Sequence, residues 1–192
     1  MKTKSGLSMK WHLIAVLIIL TGVIRNSYGE EKQIRQLELE VEPVAYIFQG
    51  AGGHIRYHHK NWRFTIEAFG LNIPKSLHGN EGFEASVLGG ELHFERFWSD
   101  NPGGFFIGPE VGYSQLEVEH HEAGSEVVTG FSAGLRAGYR WFIGLGGLYL
   151  APVGGMSIGF DATDIEVNDA VFERGPFTPF VTVGIGWSFK LN

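Results

Sequence analysis

The chain has 192 residues, enough for one domain, and carries 15 Lys and Arg residues against 21 Asp and Glu residues, a formal net charge of −6. The excess of acidic residues argues against nucleic acid as a partner, because phosphate binding needs a basic surface. The absence of cysteine excludes disulfides, thiol nucleophiles and thiolate metal sites.

The first 29 residues have the layout of a secretory signal peptide. Three lysines up to Lys10 precede an apolar run from Trp11 to Ile24, and Gly29 is followed by acidic residues. The apolar run is shorter than the ~20 residues of a spanning helix, so we expect cleavage near Gly29; the alternative is an uncleaved N-terminal anchor. Removal of residues 1–29 takes away four of the 15 basic residues and no acidic one, which leaves 11 against 21 and a net charge of −10.

The rest of the chain, residues 30–192, has the alternation that is typical of β-strands. The composition of 28 Gly and 14% aromatic residues disfavours helices, because glycine is about 1 kcal/mol less favourable than alanine in a helix. Apolar residues at every second position, bounded by Gly, Pro, Asn and Asp, indicate strands. Seven strands are predicted, at residues 44–58, 61–72, 82–98, 104–118, 127–141, 146–160 and 176–191.

An eighth strand is expected near the N-terminal end of this region. Residues 37–42, with the sequence LELEVE, alternate apolar and acidic side chains, so the first strand begins somewhere between residues 36 and 44. The alternative is a change of strand within residues 50–53. In the strand at 146–160, Pro152 and the glycines after it suggest a bulge.

Alternation is common to soluble barrels with an apolar interior and membrane barrels with an apolar exterior, and the content of the polar face favours the membrane barrel. In residues 130–140, the residues between the aromatic and aliphatic ones read Gly-Ser-Gly-Arg-Gly-Arg. Small residues next to long charged ones fit the narrow interior of an eight-stranded barrel, which side chains must fill.

The tryptophans and the connections support the same orientation. Beyond the signal segment, the chain has four tryptophans, which lie at strand ends next to short connections or the C-terminus and would form one ring at a bilayer interface: Trp62, Trp98, Trp141 and Trp187. Short connections near residues 59–61, 99–104 and 142–146 alternate with longer polar ones at 72–82, 119–126 and 161–176. Outer-membrane barrels have short periplasmic turns and longer extracellular loops.

We therefore predict an all-β fold, a closed antiparallel up-and-down transmembrane β-barrel of eight strands in the bacterial outer membrane. The barrel must close because an unpaired backbone group costs several kcal/mol in the bilayer core. Charged side chains of both signs face the interior, and Lys190 at the end of the last strand is one of them. Charges that are buried there must pair. The expected ion-pair network that plugs the lumen consists of Arg63, Glu67, Glu91, His93, Glu95, Glu110, Arg136 and Arg140.

The last strand resembles the assembly signal of bacterial outer-membrane barrel proteins. The matching positions are Thr182, Gly184, Trp187 and Phe189, although three residues follow Phe189 where the family often ends on the aromatic residue. The resemblance implies that the barrel-assembly machinery is a partner during insertion. By size, glycine content and charged lumen, the small OmpA- or OmpX-like barrels are the closest class.

The expected function is non-enzymatic, either in envelope structure or in surface interactions through the extracellular loops. One alternative is a narrow channel for small or hydrophobic molecules, and another is an outer-leaflet lipid-modifying enzyme such as a lipid A deacylase. His93 could act as a general base between two glutamates, but its context is unlike the motifs of those enzymes, and an ion pair is expected instead.

The expected partners are the lipid bilayer and lipopolysaccharide, and we expect a monomer. No cofactor or metal ion is expected. His120-His121-Glu122 could bind a metal ion weakly, but adjacent residues of a strand point in opposite directions.

Overall fold

The computed structural model describes residues 35–99, 103–144, 146–160 and 162–191. The predicted signal peptide, residues 1–29, lies outside the described residues. The elements in chain order are β1 (Arg35–Val41), α1 (Pro43–Ile47), β2 (Ala51–His59), β3 (Trp62–Ile73), α2 (Lys75–His78), β4 (Phe83–Phe97), β5 (Gly104–His120), β6 (Gly124–Phe142), β7 (Leu148–Gly159), β8 (Ile165–Val167), β9 (Ala170–Phe172) and β10 (Phe177–Lys190).

Eight of these strands form a closed antiparallel barrel. The order around the barrel is β1-β10-β7-β6-β5-β4-β3-β2, and β1 closes it by pairing with both β10 and β2. The short strands β8 and β9 form a separate hairpin within the connection from β7 to β10. This topology confirms the predicted fold class. Among the described residues, no helix is long and apolar enough to cross a bilayer.

The connections differ in length at the two ends of the barrel. At one end, called the turn end, strands are joined by residues 60–61, 98–103 and 143–147. At the other end, called the loop end, the connections are residues 42–50 with α1, 74–82 with α2, 121–123, and 160–176 with the β8–β9 hairpin. The prediction of a longer loop at 119–126 is wrong, since β5 and β6 continue to a turn of three residues.

The predicted strand at 44–58 is wrong in its first part. Residues Pro43–Ile47 form a short helix, with Pro43 in the first turn, where its fixed φ suits a helix and its missing N–H is not needed. Strand β2 therefore begins at Ala51, and no change of strand occurs within residues 50–53. The strand predicted upstream is present as β1.

The predicted bulge in β7 is also wrong. The register with β10 is unbroken across Pro152, which lies opposite Val183. On the β6 side, the pairs Gly138↔Val153 and Trp141↔Leu150 keep one register although no pair is formed at Pro152. Proline removes one hydrogen-bond donor here but inserts no extra residue, so the ladder is interrupted without a shift.

The barrel is apolar outside and polar inside. In β1, Leu37 and Leu39 are exposed while Glu38 and Glu40 are buried, and on β6 the Leu135 side chain is 61% exposed. Most of the buried side chains of the barrel strands are charged or polar. This arrangement is the reverse of a soluble barrel, and hydrocarbon around the outer face is the solvent that suits it.

Candidate functional site

The barrel interior is built from large charged side chains that face small ones. Strand β10 presents glycines inward, and these leave room for groups of the neighbouring strands. A Cβ added at Gly184 would lie 2.0 Å from Glu40 Oε1, and one added at Gly186 would lie 2.3 Å from the Tyr149 ring. The small residues on the inward face are therefore a packing requirement of the filled lumen.

Toward the turn end, two arginines hold two glutamates, one pair across the lumen and the other between the neighbouring strands β3 and β4. Arg140 Nη1 donates a hydrogen bond to Glu38 Oε1, although β7 and β10 lie between their strands around the barrel. Arg63 Nε donates to Glu95 Oε2 at 2.6 Å. Arg63 Nη1 also lies 3.8 Å from Glu38 Oε2, so the two pairs are connected.

An aromatic layer covers these arginines. The Arg63 guanidinium lies 4.3 Å from the Phe106 ring centre and 4.9 Å from that of Phe97. The Arg140 guanidinium lies 4.7 Å from the Phe97 ring and 5.2 Å from that of Tyr149. Cation–π contacts of this kind stabilise guanidinium groups that have lost their water.

In the middle of the lumen, Arg136 lies among carboxylates from three consecutive strands. Its Nε is 3.3 Å from Glu95 Oε1, and its Nη1 is 3.6 Å from both Glu67 Oε2 and Glu110 Oε2. Arg136 Nη1 also lies 2.7 Å from His93 Nδ1. The charges of β3, β4, β5 and β6 are thereby joined into one buried cluster.

Nearer the loop end, two histidines alternate with carboxylates. His54 Nε2 lies 3.5 Å from Glu42 Oε1 and 3.4 Å from Glu67 Oε2. His93 Nε2 lies 3.3 Å from Glu67 Oε2 and 3.1 Å from Glu91 Oε2. Of the described residues, two groups bring three such ligand atoms within 4.8 Å of one another, namely Glu42, His54 and Glu67, and Glu67, Glu91 and His93.

The β8–β9 hairpin packs against the loop end of the barrel strands. Phe83 of β4 and Val118 of β5 are buried against Ile165, Val167 and Phe172 of the hairpin. The Phe83 and Phe172 rings meet edge to face at 5.4 Å. An apolar cluster therefore lies at the loop end of β4 and β5, beyond the charged cluster.

The structure brings the sequence-predicted lumen residues together in one region. Glu91 is half-buried and the other seven are buried. Lys190, on the same face, is exposed at the turn end. Sequence reasoning missed the inward charges of the first two strands, although LELEVE and HIRYHH carry the alternation that marks them: Glu38, Glu40, His54, Arg56 and His58.

The four predicted interface tryptophans all lie near the turn end. Trp62 begins β3 and stacks on Phe94 at 4.6 Å, while Trp98 follows β4 directly. Trp141 is the penultimate residue of β6, and Trp187 pairs with Leu148, the first residue of β7. Trp98, Trp141 and Trp187 are exposed.

The residues of the predicted assembly signal lie in β10 with alternating orientation. Thr182 and Gly184 are buried toward the lumen, and Trp187 and Phe189 are exposed on the outer face. In the surface segment His120-His121-Glu122, His120 Nδ1 accepts a hydrogen bond from the Ala123 backbone at 3.2 Å. That nitrogen is therefore engaged within the turn.

No family model matches the chain, and the search of curated proteins finds no match to its sequence. Among solved structures, the crystal structure of Neisserial surface protein A has a TM-score of 0.51 and 10% identity, and the match covers 85% of this chain and all of the other. A major outer membrane protein from Thermus thermophilus has a TM-score of 0.46 and 12% identity, over 83% of this chain and all of the other.

The topology and the similarity to the Neisserial protein agree on the architecture. The chain has the fold of the small eight-stranded outer-membrane β-barrels.

Proposed function

We propose that the protein is a non-enzymatic component of the bacterial outer membrane, with a lumen closed by its own side chains and a function carried by its loop-end surface. The observation that supports closure is the Arg140–Glu38 ion pair, which joins strands that are not neighbours. A side-chain contact that crosses the interior occupies the path that a solute would take.

Two further layers support a closed lumen. The aromatic residues Phe97, Phe106 and Tyr149 lie against the arginines toward the turn end. The hairpin residues Ile165 and Phe172 lie over the loop end of β4 and β5. A pore for ions or small molecules would require all of these contacts to separate.

The loop end supplies the surface for interaction in this proposal. The hairpin of β5 and β6 extends beyond Ser132↔Gly159, where the pairing of β6 with β7 begins. Its exposed side chains include Glu117, Glu119, Glu122 and Glu126. A surface of this charge favours basic partner groups. Lipopolysaccharide around the barrel and the barrel-assembly machinery during insertion are the other proposed partners.

Planar-bilayer recording tests the closed lumen. The refolded protein should give no steady single-channel openings, whereas the double substitution Arg63→Gly with Arg140→Gly should open a conducting path. Arg96→Gly, an arginine of β4 that lies over the outer Trp62 ring at 5.3 Å, is the matched control and should stay closed. Each variant is first shown to be folded by heat-modifiable migration in detergent gels. Steady openings of the unmodified protein would reject closure.

The non-enzymatic part of the proposal has its own test. His93, the strongest candidate base, is buried and contacts Arg136, Glu67 and Glu91. We expect no hydrolysis of lipid A or phospholipid above the level of a His93→Ala variant. Release of fatty acid by the unmodified protein, lost in that variant, would show an enzyme. Fractionation of cells should recover the folded protein with the outer membrane.

A further inference from the structure

We propose that Glu42, His54 and Glu67 form a binding site for a divalent transition-metal ion, with Zn²⁺ as the ion of choice, near the loop end of the lumen. The site goes beyond the proposed function, because an ion could bind there whether or not the lumen conducts. It would join the end of β1 to the two strands that follow it, since His54 lies on β2 and Glu67 on β3.

The spacing of the ligand atoms matches a metal site. Zn²⁺ bonds of about 2.0–2.1 Å at tetrahedral angles place neighbouring ligand atoms about 3.3 Å apart. His54 Nε2 lies 3.5 Å from Glu42 Oε1 and 3.4 Å from Glu67 Oε2, and all three ligand atoms lie within 4.8 Å of one another. The site thus needs only small side-chain movements to reach coordination distances.

The ring nitrogen that would bind the ion is buried and forms no close hydrogen bond. The His54 side chain has 0% exposure, and its Nε2 lies 3.5 Å from Glu42 Oε1 and 3.4 Å from Glu67 Oε2, distances too long for a well-formed hydrogen bond. A buried polar atom with such weak partners is unfavourable. Coordination of an ion between the two carboxylates would satisfy this nitrogen.

The other ring nitrogen has a carboxylate that can accept its proton. Glu40 Oε1 lies 3.5 Å from His54 Nδ1, and Glu40 Oε2 is held by Arg56 Nη1 at 2.5 Å. A carboxylate behind a metal-bound histidine fixes the ring and raises its basicity. Arg56 Nη2 also contacts His54 Nδ1, so on metal binding it would move off that nitrogen while Nη1 stays on Glu40.

The lumen around the site is rich in oxygen ligands. Among the described residues, five buried glutamates and the half-buried Glu42 and Glu91 share it with four buried arginines and three buried histidines, His54, His58 and His93. Carboxylate oxygens and imidazole nitrogens are ligands that Zn²⁺ takes in proteins.

The second group of ligand atoms, Glu67, Glu91 and His93, is less suited to an ion. Arg136 Nη1 lies 2.7 Å from His93 Nδ1 and 2.8 Å from His93 Nε2, so a guanidinium already occupies the space beside that ring. Glu67 belongs to both groups. The first group is therefore the one that we assign to the ion.

Calorimetric titration of the refolded, metal-free barrel with ZnCl₂ tests the site. We expect one Zn²⁺ per chain, and a loss of affinity of at least about tenfold in Glu42→Gln and in His54→Gln. Glu42 has a side-chain exposure of 13% and precedes α1, so Glu42→Gln is the variant less able to disturb folding. Migration of unheated protein on gels shows that each variant is folded.

Two control variants make the assignment specific. Glu91→Gln should keep the unmodified affinity, because Glu91 belongs only to the second group. His120→Gln with His121→Gln should also keep it. Absence of Zn²⁺ binding, unchanged binding in folded Glu42→Gln, or loss of binding in either control would overturn the proposal. The conductance of the barrel does not enter this test, so its failure and that of the closed lumen are separate results.

Discussion

Arg140 of β6 and Glu38 of β1 contact each other through the interior of the barrel, although two strands separate them on one side and four on the other. Arg63 and Arg140 approach this carboxylate from different strands, and Phe97 lies against both guanidinium groups. The pair therefore combines two roles, because it neutralises buried charge and fills the cross-section of the lumen.

The losses of stability on removing Arg140 and Glu38 are predicted to be non-additive. Arg140→Met and Glu38→Gln each leave a buried charge with fewer opposite charges, and each should lower the free energy of unfolding by about 3–5 kcal/mol. The double variant should lose less than the sum of the two. Urea unfolding in detergent, followed by tryptophan fluorescence, measures this cycle. Additive losses would show that the two groups do not interact.

Addition of a methyl group to the small face of β10 is predicted to destabilise the barrel. The Cβ of Gly184→Ala would lie 2.0 Å from Glu40 Oε1, and the other oxygen of this carboxylate, Oε2, is held by Arg56 in a buried ion pair. Overpacking of this kind costs about 1–3 kcal/mol. Gly154→Ala in the adjacent β7 is the control, since its nearest atom would be 3.7 Å away. Equal urea midpoints for the two variants would contradict a filled lumen at Gly184.

Loss of the hairpin anchor is predicted to act locally. Phe172→Ala removes the ring that packs on Phe83, so the amides of Ile165–Val167 should exchange hydrogen faster. The barrel strands pair independently of this hairpin and should keep their protection. Val171→Ala, which changes an exposed neighbour, should leave exchange unchanged. Faster exchange throughout β4 and β5 would show that the hairpin stabilises the barrel itself.

Acid is predicted to loosen the segment around α2. Partial burial and then Lys75 lower the pKa of His78, which accepts a hydrogen bond from the Asn80 backbone and packs on Phe172. Two acidic residues lie near this segment. Glu81 forms an ion pair with Lys75, and the Glu173 backbone carbonyl accepts a hydrogen bond from the Asn80 side chain.

The folded pKa lies below the value of about 6.5 for a free imidazole. The stability from neutral His78 is therefore present above that pH and is lost as the pH falls through the folded pKa. Exchange of the Asn80 amide, corrected for its intrinsic pH dependence, should quicken on acidification in the unmodified protein and lose this dependence in His78→Asn. A persistent dependence in that variant would assign the effect to another group.

The barrel and most of the extent of its strands β2–β7 and β10 could be predicted from the sequence. The reason is that the alternation in these strands is long and regular. The sequence pattern misplaced the start of β2, since the apolar residues of 43–47 also suit a helix once Pro43 begins it. Glu38 and Glu40 were missed as members of the ion-pair network although residues 37–42 alternate, and the pairing of Glu38 with Arg140 depends on the closure and register of the whole barrel. Local pattern holds no information on contacts between strands that are not neighbours.

The hairpin of β8 and β9 could not be predicted from the sequence, for a different reason. Each strand has three residues, too few for a period to be recognised, and both lie inside a segment rich in turn-forming and acidic residues. Its burial comes from Phe83 and Val118, which are distant in the chain.

The orientation of the barrel wall, with apolar side chains outward and charges inward, is the claim on which all the others depend. Spin labels at Leu135 and Ile185, both exposed on the outer face, test it in lipid vesicles, with a label at Glu122 as the water-exposed control. We predict that both wall labels are relaxed by oxygen and shielded from a water-soluble nickel complex. Wall labels relaxed by the nickel complex and shielded from oxygen would contradict the membrane barrel.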